Sequence, residues 1–493
     1  MDTLYYNGVI RTMESHHPEE ALLVRDGRIV AAGDFAPLLR QCTYTNKVDL
    51  QGGCLMPAFL DAHSHIISWA MGKLQADLSG ARDWDAVAAA MGEFAARRGV
   101  PPGQWVIGRG ADLPPEEALV EKLDRLLPDR PAMAQHVSCH GGVFNTAAKR
   151  LLGLERGALV ETPFLAAQRR VPMPEFQELE RAFLEAQDDY LSHGYVLAQE
   201  GCMMPEAQTL YDALERSGAI KMSIVSYGQP DMTCDRGPIP TVGLSNRGNK
   251  IFLDGSPQQR TAFLRRDYVG GGRGEATMTE EQVLEAVRTA KEQGRQLLAH
   301  CNGDAAIDRF LWALREADYP AALRPVVVHA QLIQKDQLRS VRERGAVLSF
   351  FVSHVRHWGD VHLENLGERA MTISPCYSAL ERGIPFTLHQ DTPVLPPAPF
   401  EPVACAFLRQ TAGGRQLAMR ERVSVYDGLR AMTIGAAYQY HAEAERGTLA
   451  PGKRADLIIL DRDPLAVPAE ELESIQVLRT ISEGRTLWRR EGA

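Results

Sequence analysis

Two histidines one residue apart, His63 and His65, close an apolar run at residues 55–65, LMPAFLDAHSH. In an extended strand alternate side chains share a face, so both imidazoles are expected on one side, where they can grip a single ion. Neutral imidazole is the commonest protein ligand for zinc and similar divalent ions, and a catalytic site needs about three protein ligands with one position open. Two unrelated surface histidines are the plain alternative. Pro57 and Asp61 in the same run, and polar residues in similar settings far downstream, favour the metal.

Those partners must be carried by repeated elements. Apolar runs alternate with helical patterns through the middle of the chain, the signature of βα units and a parallel sheet. The runs are LMPAFLDAH, YVLAQEG, IKMSIVSYG, NKIFLDG, RQLLAHCN, PVVVHAQL, AVLSFFV and IPFTLHQDT. This makes eight strands once residues 75–185, with their own helices and two strand-like pieces, are set aside as an insertion. Eight parallel strands with helices outside predict a (β/α)8 TIM-like barrel in the α/β class, whose active sites lie at the C-terminal strand ends.

Both chain ends read as short strands. Asp26-Gly27 and Glu483-Gly484 are hairpin turn signals between β-rich stretches. The expected organisation is a small β-sandwich from residues 1–54 and 444–493, barrel strand one within 55–74, the insertion at 75–185, and the rest of the barrel at 186–443. On this reading His63, His65, Lys250, His300, His329 and Asp391 all fall near strand ends, which one metal centre explains better than scattered core residues.

The run with Pro57, Asp61, His63 and His65, together with GKRADL at 452–457, resembles the metal-dependent amidohydrolase superfamily. NKIFLDGSPQQRTA (249–262), AHCNGDAAID (299–308) and HWGD (357–360) are similar to its YtcJ-like branch, which includes N-substituted formamide deformylases. The resemblance implies His63, His65 and Asp391 around one ion, His300 and His329 around a second, and a bridge between them. Lys250 is the candidate bridge. An ammonium cannot coordinate a cation, so this role requires reaction with carbon dioxide to a carbamate. Left unmodified, Lys250 would pair with Asp254 beside a single ion.

The chemistry that follows is hydrolysis of a C–N bond (amide, formamide, cyclic amide or carbamate-like) in a small molecule. A divalent ion, zinc in the first instance, activates water, and Asp391 serves as general base and then general acid. Asp391 in Asp-Thr-Pro could alternatively cap a helix. His140 and Asn145 in CHGGVFNTAA are candidates for binding the substrate carbonyl, or for capping the helix that starts near Thr146. Trp358 either roofs the pocket or is a buried aromatic at a loop base. A deaminase of the same superfamily usually carries His-x-x-Glu on strand five, where Cys-Asn-Gly-Asp follows His300 here. A non-catalytic scaffold would gain nothing from buried histidines at strand ends.

Bulk properties agree with an enzyme of small molecules. The chain has 493 residues, 45% hydrophobic and 24% charged, with net charge -9, which offers nucleic acid or an anionic membrane no attraction. Eight cysteines (42, 54, 139, 202, 234, 301, 376, 405) without Cys-x-x-Cys suggest buried thiols. The first residues lack a signal-peptide core and no run of ~20 apolar residues occurs, so the cytoplasm is the expected location. A homodimer is the expected assembly.

Overall fold

A computed structural model describes residues 2–492 apart from 43, 44, 139, 230, 231, 233, 234 and 236. It divides into two units, residues 1–66 with 187–493, and residues 67–186. In the first unit all eight expected runs enter one parallel sheet. Its strands are β1 (Phe59–Leu60), β2 (Tyr195–Met203), β3 (Ser223–Gly228), β4 (Gly243–Phe252), β5 (Gln296–Cys301), β6 (Val326–His329), β7 (Val347–Phe350) and β8 (Phe386–Leu388). Each pairs in parallel with its neighbour in chain order.

Strands such as β6 and β7 are buried at every position, as a sheet covered on both faces requires. Helices between them are locally encoded. Thr279 and Gln282 form a reciprocal capping box at the start of Glu280–Glu292, whose apolar residues Val283, Val287 and Ala290 are buried. The sheet curls until its edges meet, since the His65 N–H beyond β1 donates to the Thr392 carbonyl beyond β8 at 2.7 Å.

The run expected to be one strand at 55–63 is two. Cys54–Pro57 pairs antiparallel with Leu457–Leu460 in a five-stranded sheet that also holds Val9–Ile10, Val477–Ser482 and Arg485–Arg489. Only Phe59–Leu60 joins the parallel sheet. The chain changes partner at Ala58, whose N–H donates to Asp456 while that of Phe59 donates to Gly194. A four-stranded sheet of Arg28–Gly33, Ala21–Arg25, Asp2–Tyr6 and Thr45–Asp49 shares an apolar core with the five-stranded one through Leu22, Val24, Leu55, Leu457 and Ile481. Both expected hairpins form, with Asp26, Gly27, Glu483 and Gly484 all at positive φ.

Among the described residues the second unit contains five strands rather than the two expected, ordered Ala158–Val160, Gly141–Phe144, Ala132–His136, Val106–Ala111 and Gln75–Asp77. Helix Trp84–Arg98 is capped by Asp83 and ended by left-handed Gly99, and it buries Val87, Met91 and Phe94 against Val106 and Leu123. Six cysteines among the described residues are free, four of them buried. Cys139 and Cys234 lie outside the described residues. Among the described residues no helix is long and apolar enough to cross a membrane.

Candidate metal centre

His63 and His65 leave β1 in a bend, not in the extended strand expected of them. Asp61 makes the bend. Its Oδ1 accepts from the His63 N–H at 3.2 Å, and its Oδ2 accepts from the Ser64 hydroxyl and from the Gln199 N–H of β2. Burial pushes the Asp61 pKa up to about 6, against these hydrogen bonds. The two rings nevertheless converge, because each Nε2 lies 3.5 Å from Asp391 Oδ1. His329 Nε2 is 3.9 Å from Asp391 Oδ2. Nitrogen and oxygen atoms of His63, His329 and Asp391 all lie within 4.8 Å of one another. These three form one group that could hold an ion. The His300 and His329 rings are 4.5 Å apart.

Every imidazole is held by its other nitrogen. His63 Nδ1 meets Gln199 Oε1 at 2.6 Å. The Gln199 amide is oriented by donating from Nε2 to the Ala62 carbonyl and the Tyr440 hydroxyl, so His63 carries its proton on Nδ1. His65 Nδ1 faces Glu200 Oε1 at 3.6 Å, and His300 Nδ1 meets Asp254 Oδ1 at 3.2 Å. His329 Nδ1 meets His389 Nε2 at 3.1 Å. Outer partners of this kind fix the tautomer and ring orientation of metal-binding histidines.

Lys250 does not pair with Asp254. That carboxylate is spent on His300 and on the N–H groups of Asn302, Gly303 and Phe263. Lys250 Nζ instead approaches His63 Nε2 at 3.2 Å and sits 5.3 Å from the Phe252 ring. Burial pulls its pKa down to about 8, with Asp391 opposing. Burial also holds His63 and His329 well below the ordinary imidazole range, and the Lys250 charge adds to it. His65 differs: burial lowers its pKa, but the Glu200 hydrogen bond and Asp391 outweigh this and leave it raised. His329 and Asp391 both adopt positive φ, 72° and 53°, a backbone conformation that costs about 1–3 kcal/mol where it occurs in a non-glycine residue.

The residues present fit a divalent cation. Asp391 Oδ1 is buried, has no hydrogen-bond donor among the described residues, and lies 3.5 Å from the Nε2 atoms of His63 and His65. An orphaned buried carboxylate oxygen costs several kcal/mol unless a cation or a proton meets it.

Three expected substrate contacts fare differently. Asn145 is fully buried as the cap of Thr146–Leu152: its Oδ1 accepts from Ala132 and Ala148, and its Nδ2 donates to Leu127 and Arg130. No polar atom remains for a substrate, so capping replaces the carbonyl-binding role. His140 is exposed, with Nδ1 3.2 Å from Glu161 Oε2. Trp358 lies on helix His354–Leu366, not at a loop base, and packs edge-on against Phe351, whose ring is 6.1 Å from that of His329. Sequence reasoning missed Gln199, Glu200 and His389. Only His389 left a signal, two residues before Asp391.

A family model described as the amidohydrolase family matches residues 47–488. The chain belongs to the amidohydrolase family. This amidohydrolase is 25% identical to the family protein YtcJ of Bacillus subtilis (strain 168) over 99% of each chain. It is 26% identical to the N-substituted formamide deformylase of Arthrobacter pascens over 100% of this chain and 99% of that one. Among solved structures it is similar to an uncharacterized metal-dependent hydrolase from Pyrococcus furiosus, with TM-score 0.79, 26% identity, and 94% and 100% of the two chains covered. Membership makes this chain a hydrolase and extends the match across every element that supplies a side chain to the centre.

Proposed function

We propose that this amidohydrolase cleaves a C–N bond of a small molecule (an amide, formamide, cyclic amide or carbamate-like group) with a divalent metal held by His63, His65, His300, His329 and Asp391. The observation that carries the reading is Asp391 Oδ1, buried without a donor and 3.5 Å from two imidazole nitrogens. The scaffold we infer is a (β/α)8 barrel with a β-sandwich built from both termini, supported by the unbroken parallel order and the tie between its edges. Zinc suits imidazole and carboxylate ligands.

A bound divalent ion lowers the pKa of water from 15.7 towards ~7 and polarises a carbonyl. The chain supplies the rest. The Asp391 carboxylate accepts a proton from the attacking water and delivers it to the leaving nitrogen, so acid and amine depart with the proton balance closed. Lys250, as free amine, would attack carbon dioxide: an N–C bond would form as a C–O π bond opens, one N–H proton would pass to solvent, and the resulting carbamate would offer two oxygens as further ligands. Gln199, Glu200, Asp254 and His389 keep the imidazoles aligned. The partly exposed Phe252 ring, 5.6 Å from that of His300, offers an apolar surface to the substrate.

Protein purified without chelator should hold one or two zinc ions per chain by elemental analysis and release amine from at least one of a panel of N-substituted formamides, lactams and carbamates. His63→Ala should lose metal and turnover together. Wild-type activity in that variant, or in chelator-stripped protein, would sink the reading.

A further inference from the structure

Just beyond β5, Asn302 is 3% exposed and lies against His300, two residues before it. Its backbone is fixed on both sides: its N–H donates to Asp254 Oδ1 at 3.0 Å, and its carbonyl accepts from the Leu332 N–H at 2.9 Å. The side-chain amide is fixed as well. Only an N–H can face a carbonyl, so the atom 2.8 Å from the Gly255 carbonyl oxygen is Nδ2. Nδ2 also lies 3.5 Å from His300 Nε2, a contact at the outer limit of a hydrogen bond. Oδ1 is buried and has no donor among the described residues.

Asn145 shows how a purely structural asparagine is used in this chain, since each of its polar atoms makes two hydrogen bonds. Asn302 instead leaves an oxygen unpaired and directs part of its amide at a long contact. Buried polar groups left in that state call for another reason. His300 Nδ1 is taken by Asp254 Oδ1 at 3.2 Å, so Nε2 is the nitrogen left for an ion. An ion there occupies the lone pair that Asn302 approaches. The amide N–H then loses its protein acceptor, and it borders the ion's side of the ring, where a polarised carbonyl must also lie. Solvent reaches this side, for the His300 and Asp391 side chains are 17% and 15% exposed.

The geometry points to Asn302 as a catalytic residue: its Nδ2–H, displaced from His300 by the ion, donates to the carbonyl oxygen of the substrate. The inference rests on the metal-dependent hydrolysis proposed above. As the water oxygen adds to the carbonyl carbon, its proton passes to Asp391 and the C–O π pair moves onto the carbonyl oxygen. Asn302 keeps its own proton throughout. It meets the growing charge with a donor that the Gly255 carbonyl already holds in place, so little reorganisation is needed. In the metal-free chain the same N–H competes mildly with the ion for His300. Removal of the donor should therefore slow the reaction without loosening the ion.

The test uses the full chain carrying Asn302→Leu, which is close in size and has no donor. Zinc affinity of the metal-free protein is read by competition with a chromogenic chelator, and its melting temperature checks folding. Zinc should bind as tightly as to the wild type, or more tightly. In the zinc-loaded variant kcat should fall about a hundredfold to a thousandfold, and kcat/KM with it, on whichever N-substituted formamide, lactam or carbamate the wild type hydrolyses fastest. Asn302→Asp keeps the shape, replaces the donor by an acceptor, and should lose as much turnover without loosening zinc; it decides the matter if Asn302→Leu does not fold. Wild-type kcat in a folded variant would overturn the inference. So would zinc binding weakened about tenfold or more, the mark of a residue that only positions His300. A wild-type chain that binds no divalent ion, or hydrolyses none of these compounds, would overturn the proposed function along with it.

Discussion

On the proposed reading Lys250 sets how many ions the centre would hold. It is 6% exposed, and its pKa of about 8 leaves a useful fraction of free amine near neutral pH, the form that reacts with carbon dioxide. As an ammonium it would repel any cation placed between His63 and His329, whereas a carbamate reverses the sign of that interaction. Lys250→Ala should therefore bind one ion fewer per chain and lose at least about tenfold in turnover. Short carboxylic acids with bicarbonate should restore part of both. An unchanged metal content by elemental analysis would show that Lys250 is no bridge. At this scale the five candidate ligands stood out in the sequence because each is a polar residue at the close of an apolar run, and Lys250 because it lies in NKIFLDG. Gln199 did not, since a glutamine reads as a ligand's partner only when the fold brings it to His63 Nδ1. Asn145 misled for a related reason: substrate binding and helix capping require the same side-chain type.

At the scale of elements, β2 does more than complete the sheet. Gly201 lies on it, and a Cβ there would sit 2.6 Å from His63 Cε1 and 2.9 Å from the Ser64 carbonyl oxygen. That carbonyl accepts from the Gly201 N–H itself, so neither side can retreat without breaking the backbone bond that holds the histidine bend. Gly201→Ala should weaken zinc binding about tenfold and lower stability by about 1–3 kcal/mol through overpacking, read by chelator competition and urea unfolding. Wild-type values for both would mean that the bend yields freely. All eight sheet strands could be read from apolar runs, since strands buried on both faces need continuous hydrophobicity. Their limits could not. The 55–63 run serves two sheets, and its switch at Ala58 is visible only once Asp456 and Gly194 stand beside it. The short strands of the second unit, Gly141–Phe144 and Ala158–Val160, contain too few residues to show a period.

For the whole molecule, buried histidines set the acid limit. His362 pairs with His354 Nδ1 at 3.1 Å, its Nδ1 has no partner among the described residues, and burial lowers its pKa to about 4. The unfolded chain takes a proton there below its ordinary value near 6.5, while the folded chain resists until about 4. Stability is thus complete above pH ~6.5 and declines as pH falls towards 4, by about 3 kcal/mol for this group at the limit. His63, His329, His354 and His389 push the same way in metal-free protein. Urea unfolding of stripped protein between pH 7 and 4.5 should show this decline, with a flatter slope for His362→Leu; equal slopes would exclude His362 as a source. The order of the parallel strands was readable from patterning, because each apolar run marks one strand. How the ends close on one another has a temporal meaning as well. The Tyr440 hydroxyl donates to the Asp61 carbonyl, Gln439 holds Ala62, and Leu457–Leu460 pairs with Cys54–Pro57. A chain growing from its N-terminus makes His63 well before Gln439, Tyr440 and Leu457–Leu460, which steady the stretch around it. On the proposed reading the emerging polypeptide should hold no ion firmly until these residues are made, so a product truncated before Gln439 should be inert however many candidate ligands it already carries.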